Sequence, residues 1–224
     1  MKLISTEFGQ SFQQYRLEEI RPFSGIYLPG LIATITERYG FGVVPSFAEA
    51  VQQGAKFREG RLIVDDRLIA IKELGIYNDG IIVVAWNTED ADTIIDDVKS
   101  WELQTLKLRE PIFKPVRRHF SSVVVEFDFS INRAFTMFAE FIRIYEEVLK
   151  RTYDWEFPVE ASRVTFTADP TKMPLHSSAD FVIERRAGGV PFSENRYFSS
   201  VPLQTRAHLE LLEIFERLLA AIGD

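Results

Sequence analysis

Two apolar runs, 68–77 and 81–86, meet at Asn78-Asp79-Gly80. A tight turn needs backbone at positive φ, which Asn, Asp and Gly accept more readily than other residues. The two runs are therefore expected to fold back on each other as an antiparallel hairpin. The second run is almost wholly apolar, which places it centrally in a sheet with both faces covered. It leads into Thr88, an N-cap candidate, with Glu89, Asp90 and Asp92 where the helix dipole favours negative charge. Ala91, Ile94, Ile95, Val98 and Trp101 then share one helical stripe. A hairpin that feeds an amphipathic helix points to an antiparallel sheet with helices laid against it.

The rest of the chain repeats these elements. A loose alternation of Phe12, Tyr15 and Leu17 predicts a strand over 11–20. Pro29 starts a helix with Leu31, Ile32, Ile35 and Tyr39 at helical spacing, and Gly40 stops it. A short helix over 46–53 is expected to turn Phe47, Ala50 and Val51 inward. Extended structure follows over 61–64, with a turn at Asp65-Asp66. Five of the twelve residues 107–118 are Lys or Arg and two are Pro, which marks a connector.

Beyond it, 122–129 alternates cleanly, with Val123, Val125, Phe127 and Phe129 on one face. Asn132 is expected to cap a long helix to about 152, with Phe135, Phe138, Phe141, Ile142, Tyr145, Val148 and Leu149 in period. A strand at 163–168 should face Val164 and Phe166 inward, and 169–178 reads as a loop. A second hairpin, 179–186 and 190–198, turns at Ala187-Gly188-Gly189, and Pro191 suggests an edge position for its second strand. Thr205 should cap the last helix, whose stripe is His208, Leu211, Leu212, Phe215, Leu218 and Ile222.

Counted from Thr88 and from Thr205, apolar residues fall at the same offsets: Ile94, Ile95, Val98 and Trp101 against Leu211, Leu212, Phe215 and Leu218. The order strand, helix, three strands, helix also recurs. The expected fold is α+β: tandem βαβββα units forming largely antiparallel, curved sheet, with helices packed on one face. The halves are 1–110 and 111–224, either sharing one continuous sheet or pairing as separate domains.

A net charge of −7 disfavours a phosphate backbone or an anionic membrane as partner. The chain has no cysteine, so no disulfide or thiol chemistry, and no apolar run of membrane-spanning length. Residues 1–14 lack the apolar core of a signal peptide, and a cytoplasmic location is expected. Nineteen phenylalanines among 224 residues favour large apolar contacts, in a core or at an interface.

Chemistry is sparse. Glu89, Asp92 and Asp96 share a helix face that a hard cation would accept, but it lies opposite Ile94, Ile95 and Val98. That face is expected to be solvated, and no metal is expected. His119, His176 and His208 lack metal-ligand spacing, and His208 reads as a satisfied structural residue. No serine elbow occurs, and Gly40-Phe41-Gly42 is no phosphate cradle. No catalytic residue or cofactor is expected.

Lys114, Arg117, Arg118 and His119, with Arg185 and Arg186, are the candidate anion site. Adjacent strand residues point to opposite faces, so ordinary surface charge, or pairing with the acids of 89–97, is the competing expectation. Leu209, Ile214, Tyr153, Trp155 and Phe157 are candidates for an interaction surface, with core packing as the competing role of the three aromatics. The expected function is non-catalytic: a protein–protein interaction or assembly component that binds another protein or its own copy. The alternative is a small-molecule or anion binder, with or without catalysis, using a site between the halves. Binding of single-stranded nucleic acid ranks last because of the charge.

Overall fold

The computed structural model describes residues 1–15, 27–105, 109, 114–156, 158–172, 180–186 and 189–222, with side chains of 102–105 and 170 excepted. The chain runs β1 (Lys2–Gln14), α1 (Leu28–Tyr39), α2 (Phe47–Gln53), β2 (Ala55–Val64), β3 (Arg67–Tyr77), β4 (Gly80–Ala85) and α3 (Thr88–Thr105). It continues with β5 (Val116–Glu126), a 3-10 stretch (Ile131–Phe138), α4 (Ala139–Tyr153), β6 (Arg163–Phe166), β7 (Phe181–Arg185), β8 (Arg196–Val201) and α5 (Thr205–Ala221). The eight strands make one sheet in the order β2-β3-β4-β1-β5-β8-β7-β6, antiparallel in every registered pair. The fold is α+β.

Two compact units emerge: Thr6–Ser122 with Pro202–Thr205, and Met1–Ser5 with Val123–Val201 and Arg206–Asp224. In the first, hereafter the N-terminal unit, Leu74, Ile81, Val83 and Ala85 of the sheet pack with Ile35 of α1 and Ala91, Ile94, Ile95 and Val98 of α3. The predicted stripe of α3 is thus the buried one. In the C-terminal unit Val123, Val125, Ile131, Ile183 and Tyr197 enclose Leu212 and Leu219 of α5.

Several expected boundaries move. β1 begins at Lys2, not at 11, because its inward positions are Gly9, Ser11 and Gln13, which hide the alternation. Residues 16–20 of the expected strand lie outside the described residues. The turn at Asn78-Asp79 pairs Tyr77 with Gly80 as expected, yet neither central residue has positive φ. That conformation belongs to Asp65 and Asp66 (φ 48° and 63°), which join Val64 to Arg67 in a two-residue hairpin. Asn87, not Thr88, caps α3: its Oδ1 accepts from Asp90 N at 2.7 Å and its carbonyl from Ala91 N at 3.2 Å. β5 starts at Val116, so the predicted connector 107–118 ends inside a strand.

In the C-terminal unit, Ser130 rather than Asn132 caps the 3-10 stretch, which breaks at Phe135 (φ −115°) before α4 begins. β6 ends at Phe166, and that ring is exposed rather than turned inward. β8 starts after Pro191, beyond a 3-10 turn at Phe192–Glu194, and lies between β5 and β7, not at an edge. The inner column of α5 is Thr205, His208, Leu212, Glu216 and Leu219; the predicted Leu211, Leu218 and Ile222 are exposed. Glu216 belongs inside because its carboxylate accepts from Asp128 N at 2.8 Å. In α2 only Ala50 is buried, while Phe47 and Val51 face outward.

Candidate functional site

On β5, Arg117 and His119 are two residues apart and share a face. Asp92 and Asp96, one turn apart on α3, meet that face. Arg117 Nη2 lies 2.6 Å from Asp96 Oδ1, and Arg117 Nε donates to Gln13 Oε1 at 2.9 Å. His119 Nε2 lies 2.9 Å from Asp92 Oδ2. Asp92 is only 18% exposed. Burial alone would push its carboxyl up, but hydrogen bonds from His119 and Ser11 and the Arg117 charge outweigh it and hold the group below the usual carboxylate range.

Two further acids of α3, Asp97 and Asp90, are engaged in the same way. Asp97 takes Arg38 at 2.8 Å and the Tyr39 hydroxyl at 2.7 Å; burial and that carboxylate together raise the Tyr39 pKa far above its ordinary value. Asp90 Oδ1 lies 2.8 Å from Arg67. Of the acidic face expected to be solvated, Asp90, Asp92, Asp96 and Asp97 thus form ion pairs to sheet and helix. Among the described residues no group of three or more His, Asp or Glu has a metal-holding arrangement.

The other candidate cations are distributed. Arg118 points to the opposite face of β5 and donates to Gln14 Oε1 at 3.1 Å. Lys114 is exposed ahead of the strand. Arg185 and Arg186 belong to the C-terminal unit. Arg185 is 10% exposed, ion-paired with Glu160, with its guanidinium 4.3 Å from the Phe192 ring centre and 5.2 Å from that of Tyr197. It serves as a structural tie. The Arg186 backbone N–H donates to Arg196 O at 3.2 Å.

Among the described residues Ser199 and His208 form a pair reminiscent of a nucleophile and base, at 2.9 Å. Both are fully buried, and the Ser199 hydroxyl donates to Val182 O at 2.6 Å. With that proton engaged, His208 Nε2–H donates to Ser199 Oγ, so the ring is a neutral structural donor. Burial pulls its pKa down to about 4. His176 lies outside the described residues. A cavity of about 550 Å³ opens between Leu28, Leu31, Val51, Ile76, Asn78 and Asp79, without a cluster of titratable groups.

The feature that sequence reasoning did not single out is the outer face of α4. Not one of its 15 residues is buried. Phe141, Ile144, Tyr145 and Val148 follow the i, i+3, i+4, i+7 pattern and are 41–66% exposed. Ile142 and Leu149, on the adjoining flank, are half-buried, and Glu146 Oε1 there accepts from Val159 N at 2.8 Å. The loop after α4 thus holds one flank and leaves the aromatic row open. Tyr153 and Trp155 are exposed as well, while Phe157 lies outside the described residues. On α5, Ile214 is exposed but Leu209 packs against the core. The signal available beforehand was β6: Arg163-Val164-Thr165-Phe166 offers too little apolar surface to cover seven large residues of a long helix.

No protein-family model matches the chain, and no curated protein matches it.

Proposed function

We propose that this chain is a non-catalytic interaction or assembly protein whose contact surface is the open face of α4. The observation that carries this is a 15-residue amphipathic helix with no buried residue. An isolated helix of that length is marginal in water, and monomers seldom leave a contiguous apolar row uncovered. The chemistry elsewhere fits. Arg117 and His119 are neutralised by Asp92 and Asp96, and the Ser199–His208 pair is sealed. A photo-cross-linking amino acid at Phe141, introduced in the protein's native cells, tests this. Adducts are expected from that position and not from Lys150 on the charged back of the helix. Absence of any adduct from Phe141 would overturn the reading.

We also propose that the two halves are duplicates. Their element orders correspond, and the strand order reads β1-β4-β3-β2 outward in one and β5-β8-β7-β6 in the other. Thr88 and Thr205, each the first residue of a closing helix, exchange reciprocal hydrogen bonds. Thr205 N donates to Thr88 Oγ1 at 2.7 Å, and Thr88 N to Thr205 Oγ1 at 3.1 Å. Backbone superposition of β1–α3 on β5–α5 in an experimental structure checks it; mismatched strand connections would contradict it.

A further inference from the structure

We infer that the occupant of the α4 face is α4 of a second copy of this chain, running antiparallel across a twofold axis between Ile144 and Tyr145. This rests on the reading of α4 as a contact surface and adds its partner. The open row is self-complementary by position. Reversed about a point between residues 144 and 145, Phe141 falls opposite Val148 of the copy, and Ile144 opposite Tyr145. An isologous pair needs just this: whatever residue i meets, its twin meets in return.

The charges agree with the same direction. On a helical projection Glu140 and Arg151 border one edge of the row, close to each other in angle and at opposite ends of the helix. An antiparallel copy sets Glu140 of one chain near Arg151 of the other, twice, whereas a parallel twofold copy carries this edge to the opposite side of the pair, where the two charges do not meet. The helix dipoles also oppose each other in that arrangement. Of the other charges, Arg143 and Lys150 lie on the back and Glu147 adjoins Glu140, and all three already pair within the chain. Arg143 bridges Glu140 and Glu147, and Lys150 reaches Glu156 at 2.6 Å. They keep the outer side of the paired helices wet.

The area is of the right size. Phe141, Ile144, Tyr145 and Val148, continued by Met137 and Phe138, together expose on the order of 600 Å² per copy. A standard interface takes roughly 800 Å² from each partner, so the row with its charged borders suffices. The aromatics supply anchors of the kind that dominate such contacts, and Phe141 and Tyr145 already stack at 6.3 Å between ring centres.

Sedimentation of the purified full chain over micromolar to hundred-micromolar concentrations tests the proposal. Wild type is expected to dimerise and Phe141→Glu to remain monomeric. Glu140→Arg alone and Arg151→Glu alone are each expected to raise the dissociation constant roughly tenfold, and the two together to return it to within about threefold of wild type. Arg143→Glu breaks the same intrachain pair as Glu140→Arg but lies on the back, so it is expected to change dimerisation by less than about twofold. Circular dichroism of every variant guards against misfolding. A monomeric wild type, a dimer indifferent to Phe141→Glu, or failure of the double exchange to restore pairing would each overturn the antiparallel copy. If purified protein is monomeric while the cross-linker at Phe141 still captures another protein in cells, the contact surface stands and self-pairing falls.

Discussion

Gly9 stands where β1 passes the start of α3, and a Cβ there would collide with the backbone of Asn87 and Thr88. Gly9→Ala is expected to lower unfolding free energy by about 2 kcal/mol or more in urea titration, since the obstacle is backbone and cannot swing away. A change below about 0.5 kcal/mol would show that the approach is looser. Thr88 and Thr205 were visible in the sequence as matched helix starts, but their partnership was not, because they are 117 residues apart. Each single change to Val leaves a buried N–H without its acceptor and should cost about 1–3 kcal/mol. The double variant should fall short of the sum, because both singles lose the same contact between the two hydroxyls, 3.2 Å apart. His208 sets a pH dependence. Its folded pKa, about 4, lies below the unfolded value near 6.5. Between those values the unfolded chain binds the extra proton, so stability is full above about 6.5 and declines as pH falls towards 4. Denaturation at pH 7.5 and 4.5 should show wild type losing about 2–3 kcal/mol more than His208→Gln. Equal losses would place the proton elsewhere.

Periodicity reveals that a helix has an apolar side but not what covers it, and the elements divide on that point. For α3 the predicted stripe is the buried one, because a sheet of Leu74, Ile81, Val83 and Ala85 lies under it. For α5 the neighbours select a column that includes, beside the expected His208, Glu216, a polar residue that hydrophobicity alone assigns outward. For α4 the described residues put nothing over the row. Stability should follow cover, not pattern. Ile95→Ala in α3 is expected to cost about 2–5 kcal/mol, whereas Val148→Ser in α4, measured dilute enough for a single chain, should cost less than about 0.5 kcal/mol. Comparable losses in urea titration would mean that α4 is covered in the single chain. β1 was half legible for the converse reason: Ser11 and Gln13 face inward, the first donating to Thr88 O at 3.3 Å and the second accepting from Arg117. Such positions mimic a solvent face in the sequence.

At the scale of the molecule, α+β class and antiparallel pairing were legible from turn chemistry and alternation, which are local. The candidate anion site was only half legible. Composition showed cations at Arg117 and His119 and acids at Asp92 and Asp96, and only the register of β5 against α3 brings the two sets together. Once paired, they tie β5 to α3 within the N-terminal unit, and the contact surface proposed above is the α4 face. The chain has no cysteine, which allows the pairing to be read at one position. Ile144→Cys sits beside the proposed twofold axis, and Arg143→Cys, its sequence neighbour, sits on the back of the helix. Under mild oxidation at low micromolar concentration, a non-reducing gel should show Ile144→Cys converting to a covalent dimer while Arg143→Cys stays single. Equal conversion of both variants, or none for Ile144→Cys, would contradict an antiparallel α4 pair.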